Sequence, residues 1–372
     1  MRVMIYINQK ERRLTMKTII KREWRNYMKN PVLWVGILFI IVELFQILNP
    51  YLNLHYFQTE EEVESVEPEN RLDADITEGY VLSTEDERME LVYEQLRKDL
   101  VDIYEMTEVN AKKMISKMRQ EEMSVNEMEI YLENYGCWVD LNYYYYLSEF
   151  HKGNMQEANE YIQNCLATHS FSFYFARKYA DFCGLFMGFF ATILLAFLFI
   201  RDTKRDTYEL LHTKPICASS YVCGKIAGGF FVIVTVWGFF TLLFGLLCEF
   251  HGLQEGFPVN FFDFLIPSII YILPNMLMIT CVYTIIALVF RNPLPAVPCM
   301  LLYLIYSNIG SRGPDGTYGY YGRPLAIMVR FPGQFFETAP PPLASLNQTF
   351  LICTSAVLTI LSVIVWKRRR MY

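Results

Sequence analysis

Residues Phe182 to Ile200 read FCGLFMGFFATILLAFLFI, with Asp181 before the run and Arg201 after it. The run carries no charge, and its length approaches the ~20 apolar residues that an α-helix needs to cross a ~30 Å hydrocarbon core. Hydrocarbon offers no partner for an open peptide group, so the run is predicted to be a transmembrane helix. Five further apolar runs follow the same logic: Val32 to Leu48, Ile226 to Cys248, Phe264 to Phe290, about Leu294 to Ile309, and Phe350 to Trp366. Pro267 and Pro274 interrupt the fourth run in chain order, and the fifth is short and opens on Pro295 and Pro298. The expectation is an all-α integral membrane protein with six transmembrane helices and a helical extracytoplasmic domain between helices 1 and 2.

Composition agrees. Hydrophobic residues make up 53% of the 372 and charged residues 19%, with a mean hydropathy of +0.19. These values exclude an ordinary soluble enzyme and a disordered chain. The net charge of −6 averages over segments of opposite sign and gives no footprint for nucleic acid. Nine cysteines are too sparse for a disulfide scaffold.

The basic residues set the expected orientation. Arg2, Lys10, Arg12, Arg13, Lys17, Lys21, Arg22, Arg25 and Lys29 precede the first run, and Lys367 to Arg370 follow the last. The loop after the second run adds Arg201, Lys204, Arg205, Lys214 and Lys225. By the positive-inside rule both termini face the cytoplasm of a multi-pass protein in the plasma membrane, of bacterial type. Arg312, Arg323 and Arg330 fall on the outside in this topology and count against it. The resulting organisation is 1–30 with an amphipathic interfacial helix, 31–49 as the first span, 50–178 as the external domain, 179–366 as the remaining spans, and 367–372 as a basic tail. Within it, 201–225 is a cytoplasmic loop and 310–348 an external one. No signal-peptide cleavage site follows the first run, and Met16-Lys-Thr-Ile-Ile reads as a second start.

The external segment is acidic, with 27 Asp and Glu against 9 Lys and Arg between residues 50 and 176. Thr84 with Glu87, Ser124 with Glu127 and, more loosely, Asn154 with Glu157 fit the capping box that opens a helix. Met89, Val92, Leu96, Leu100 and Ile103 then recur at helical spacing. Trp138 and Tyr143 to Tyr146 are either core or a ligand-facing surface. Cys137 and Cys165 stand in an oxidising compartment and are a possible disulfide, with two buried thiols as the alternative. A zinc set of Cys137, His151, Cys165 and His169 matches no known spacing, and Asp73, Asp75, Thr77 lacks the glycine and the glutamate of a calcium loop.

Catalytic patterns are missing. Gly224-Lys225 resembles the end of a phosphate loop, but Ser219 replaces its first glycine and Ile226 its Ser or Thr. No nucleophile elbow and no His-Glu-x-x-His occur, so the chain reads as a non-enzyme that binds no cofactor of its own.

Thr18 to Asn30 form a basic amphipathic helix, with Ile20, Trp24, Tyr27 and Met28 on one face and Lys21, Arg25 and Lys29 on another. Such a helix lies among membrane lipid headgroups. The loop after the second run holds a short helix from about Thr207 to His212, stopped by Pro215. Tyr208, Leu210 and Leu211 on it are a suitable knob for a partner's groove.

The run Glu209-Leu210-Leu211-x-Thr213-x-Pro215-Ile216, followed by Tyr221-x-x-Gly224-Lys225 and a glycine-rich span, resembles the permeases of the ABC-2 exporter family. The resemblance implies the membrane subunit of an ATP-driven exporter, working as a homodimer or as a heterodimer with a second permease. Mg-ATP would be bound and hydrolysed by a separate ABC ATP-binding subunit. It also makes Tyr208, Glu209, Leu210, Leu211, Thr213 and Pro215 the coupling helix. Polar residues inside spans are the pathway candidates: Glu43, Gln46 and Asn275. Gly228, Gly229 and Gly238 predict close helix packing. Leu325 to Phe331 are placed to dip back into the outer leaflet. The competing reading is a membrane sensor or receptor whose external domain binds a ligand without transport.

Overall fold

The computed structural model describes residues 16–64, 74–200, 202, 216–308, 311–312, 318–319, 323–331 and 333–369. They form two compact units, one from Leu54–Thr168 with Ser311–Gly319 and the other from the rest of the chain.

The larger unit is a helix bundle. Helix α1 covers residues 16–28. Asn30 then caps α2 (Pro31–Leu52), its side chain accepting the Val32 N–H at 3.1 Å while Pro31 occupies the first turn, where no donor is lost. Numbering the elements of the whole chain in order, this unit also holds α9 (Phe171–Leu195), α10 (Ala218–Glu255), α11 (Phe261–Phe290), α12 (Ala296–Asn308) and α13 (Ala344–Arg369). Gly256, at φ 73°, ends α10 in the left-handed conformation that glycine adopts without cost. Helix α11 continues through both Pro267 and Pro274. Beside the carbonyl that Pro274 frees, Asn275 Nδ2 donates to the Tyr271 carbonyl at 2.8 Å.

Five of these helices, α2, α9, α10, α11 and α13, are long and apolar enough to cross a membrane. The fifth sequence segment is the exception. Its helix, α12, has 13 residues. At ~1.5 Å per residue it rises ~20 Å and does not cross a ~30 Å core by itself. The second segment also differs, since its helix starts at Phe171 and therefore includes Arg177, Lys178 and Asp181. Helix α9 is the centre of the bundle and touches α2, α10, α11 and α12. The apolar window of α9 is 72% buried, against 22% for α2 and for α13. Those two leave most of their apolar surface uncovered within the described residues.

The smaller unit is helical, starting with α3 (Glu60–Glu64), and holds two short two-stranded sheets, one of them Ser311–Arg312 with Tyr318–Gly319. Strands β1 (Tyr80–Leu82) and β2 (Phe150–Lys152) pair antiparallel, with Val81 opposite His151. Helices α4 (Glu85–Asp102), α5 (Glu108–Gln120), α6 (Val125–Glu133) and α7 (Leu141–Leu147) bury Val92, Leu96, Leu100, Met118, Met128 and Leu132 in one core. The capping boxes at Thr84–Glu87 and Ser124–Glu127 are formed, and Asn154 and Glu157 exchange the same two bonds ahead of α8 (Met155–Thr168). Asp75 caps a short 3-10 turn with Glu78, so it serves the backbone. Ile103 falls out of the core, 67% exposed just past α4. The aromatic residues divide. Tyr144 and Tyr145 pack on the core, whereas Trp138 is 73% exposed. Cys137 lies in this core and Cys165 on α8, and neither is in a disulfide. Among the described residues, no three His, Cys, Asp or Glu side chains are placed to hold a metal ion.

Candidate functional site

The buried charge of the bundle is concentrated where α1, the end of α9 and the start of α10 meet. Lys225 is one turn inside Tyr221 on α10 and only 4% exposed. Its Nζ donates to Glu23 Oε1 of α1 at 2.8 Å and to the Leu198 carbonyl at 3.2 Å, and it pairs with the Asp202 carboxylate. Tyr221 Oη donates to Asp202 Oδ2 at 2.8 Å. The Tyr221 ring stacks on Trp366 of α13, with centroids 4.1 Å apart. One ammonium thus joins three chain segments, and one tyrosine adds a fourth. Burial pushes the Glu23 carboxyl above its ordinary range, against the opposing pull of Lys225. A buried ion holds its charge only while the partners stay in place.

Glycines let the segments approach this closely. A Cβ at Gly228 would meet Glu23 Cβ at 2.9 Å, and one at Gly224 would meet Ile19 at 3.2 Å. Gly229 faces Leu195 and Leu198 in the same way. Gly238 differs from the sequence expectation, because nothing lies within 4 Å of its Cβ position.

The residues expected from the resemblance to form a coupling helix, Tyr208, Glu209, Leu210, Leu211, Thr213 and Pro215, lie outside the described residues. Their flanks do not. The chain leaves the charged cluster at Asp202 and is described again from Ile216, five positions before Tyr221. Asn275 is buried and spent on packing, accepting from Gln348 Nε2 at 3.3 Å as well as bonding Tyr271. Glu43 is half-buried on α2 and Gln46 exposed on the same helix. Among the described residues no hydrogen bond or ion pair links either of them to Asn275.

A second polar cluster lies along α9, in a stretch that the sequence reading assigned to the external domain and its edge. Arg330 pairs with Asp181 through Nε and Nη2, and its Nη1 donates to Asn308 Oδ1 at 2.6 Å. Lys178 donates to the Gly333 carbonyl, and Arg177 to that of Thr338. Asn347 fixes the same return loop. Its Oδ1 accepts the Leu325 N–H at 2.8 Å and its Nδ2 donates to the Arg323 carbonyl at 3.0 Å. Leu325 sits at φ 61°, a left-handed conformation unusual for a leucine, and this pair of bonds holds it there. Asn347 opens the glycosylation pattern Asn347-Gln348-Thr349, but at 2% exposed it is no acceptor in this fold. The segment 323–331 folds against α12, with Ile327 N–H bonded to Ser307 Oγ at 2.9 Å. Sequence reading missed this ion pair because it dismissed charge from spans. The signal was an Asp181 abutting an uncharged run and an Arg330 on the wrong side of the charge count.

Compared with known families, the chain matches the one described as ABC-2 family transporter protein over residues 17–314. No curated protein and no solved structure matches it.

Proposed function

The chain belongs to the ABC-2 transporter family, and on that premise we propose that it is the permease subunit of an ATP-driven exporter. The membrane-spanning helices form the pathway, in a dimer with a second copy or a second permease. A separate ATP-binding subunit holds Mg-ATP and grips the loop at Tyr208 to Pro215. The observation that carries this reading is the buried cluster at the root of that loop. A push on residues 203–215 reaches Asp202 on one flank and Tyr221 on the other, and both end on Lys225. Lys225 passes the displacement to α1 through Glu23, and Tyr221 passes it to α13 through Trp366. Packed helices move as rigid bodies, so a shift at these contacts changes access to the pathway.

In this reading α12, with the chain that follows it, completes a sixth pass. An even number of passes returns the basic N-terminal helix and Lys367 to Arg369 to one side, the cytoplasm. Arg330 no longer opposes this topology, because a cation paired with Asp181 inside the bundle is not a free loop charge.

Purification of the full chain in mild detergent tests the proposal. An ATPase with a phosphate loop is expected to accompany it in stoichiometric amount. Leu211→Asp is expected to leave membrane expression intact while separating ATP hydrolysis from export. Reproducible absence of an ATPase, or full transport by the variant, would refute the reading and favour a sensor.

A further inference from the structure

A cavity of about 280 Å3 opens beside the charged cluster, between α1 and the turn that follows α9. Arg22, Lys29 and Tyr27 line it from the α1 side, and Phe197 and Ile200 from the other. Pro31, the first residue of α2, forms part of its wall, so the cavity sits at the depth where a membrane-crossing helix begins. Trp34 marks the same level. It is exposed, and its indole donates to the Met28 carbonyl at 3.0 Å, as expected of an aromatic residue at the membrane interface.

The charges inside are unequal. Glu23 and Asp202 also line the cavity, but both carboxylates are engaged by Lys225. Arg22, Lys29 and Lys225 together outnumber the two carboxylates by one, and among the described residues neither Arg22 nor Lys29 is in an ion pair. They stand two helical turns apart on one face, with Asn26 between them. A further polar group lacks a partner. Tyr27 is 3% exposed, and its hydroxyl makes no hydrogen bond among the described residues. A buried hydroxyl without a partner costs free energy unless something else supplies one.

We propose that this cavity binds the phosphate of an acidic phospholipid headgroup between Arg22 and Lys29, with the acyl chains leaving over Pro31 and Phe197. The cavity is roomy enough for a phosphate and its glycerol. The single surplus positive charge matches the one negative charge of the phosphodiester, and the Tyr27 hydroxyl meets an uncharged polar headgroup. The apolar wall beside a cationic floor fits a lipid better than a soluble anion, which has no use for it. This inference rests on membrane placement and not on coupling to an ATPase.

Native mass spectrometry of the full chain in mild detergent, titrated with phosphatidylglycerol, phosphatidylcholine or inorganic phosphate, tests it. One phosphatidylglycerol per chain is expected to be retained in preference to phosphatidylcholine. Arg22→Gln with Lys29→Gln is expected to weaken that binding at least tenfold. Lys21→Gln with Arg25→Gln removes the same charge from α1 outside the cavity and is expected to change it less than twofold. All four side chains are exposed, so both variants should fold, and unchanged melting temperatures will verify this. Equal weakening by the two pairs would reduce the effect to general electrostatics and overturn the site. So would the lack of a preference for phosphatidylglycerol. Displacement of the lipid by inorganic phosphate at equal concentration would assign the cavity to a soluble anion instead.

Discussion

Arg330 reaches Asp181 across 149 positions of sequence and clamps the return loop onto the central helix α9. The contact uses two guanidinium nitrogens, and a third nitrogen holds Asn308 at the end of α12. Two buried charges gain little over a well-packed apolar pair, but one left alone is costly. Arg330→Leu is therefore expected to destabilise the bundle by ~3–5 kcal/mol, because it strands Asp181. Arg330→Leu combined with Asp181→Leu should recover most of that loss. Thermal melting of the purified chain measures both. A double variant no better than the single would show that the ion pair is not what holds the loop.

Gly228 and Gly238 lie on one helix and predict opposite outcomes. A methyl group at Gly228 meets Glu23 Cβ at 2.9 Å and the Ile20 backbone at 3.5 Å, so α1 must give way. Gly228→Ala should lower the melting temperature and expose α1 to protease. Gly238→Ala adds its methyl in open space, and replacing a helical glycine there should gain ~0.5–1 kcal/mol. If both changes proved neutral, α1 would not be held as closely as described.

Acid should loosen the smaller unit from its helix starts. The Thr84 backbone N–H holds the Glu87 carboxylate below its ordinary range, and the Ser124 hydroxyl and backbone N–H do the same for Glu127. A carboxyl with a depressed folded pKa contributes stability above its unfolded value of ~4.3 and loses it as pH falls through the folded one. Hydrogen exchange in the first turns of α4 and α6, corrected for intrinsic rate, is expected to accelerate below pH ~4. Glu87→Gln should remove most of that dependence in α4 and leave α6 unchanged. Exchange flat down to pH ~3 would remove the capping carboxylates from the account.

Much of this was legible in the sequence, for physical reasons. Long apolar runs have one stable form in hydrocarbon, so α2, α10, α11 and α13 fall where their residues predict. Capping boxes are local, and Thr84 and Ser124 announce α4 and α6 without reference to the rest of the chain. Contacts between distant segments were illegible. Nothing near Lys225 names Glu23 as its partner, and nothing near Asp181 names Arg330. Charge counting worked against the second pair, since it removed Asp181 from its span and set Arg330 among loop cations. Asn275 read as a pathway group because a polar residue in a span is expensive. That cost is met by Gln348 and a carbonyl, which no pattern in α11 discloses.

Lys225 offers the sharpest division between structure and function. Lys225→Met leaves Glu23 and Asp202 buried together with no cation between them, a loss expected at ~3–5 kcal/mol and visible as poor expression. Replacing all three, with Glu23→Gln and Asp202→Asn alongside Lys225→Met, removes every charge and should restore expression. It does not restore the connection, because the methionine thioether accepts weakly and donates nothing. Assembled with the proposed ATP-binding subunit, the triple variant is therefore expected to support ATP hydrolysis while exporting at a small fraction of the wild-type rate. Wild-type export by that variant would confine the cluster to holding α1 in place and move the coupling route elsewhere. Loss of ATPase binding would instead place the cluster at the docking surface itself. Measuring expression, ATP hydrolysis and export on the same preparation separates the three outcomes.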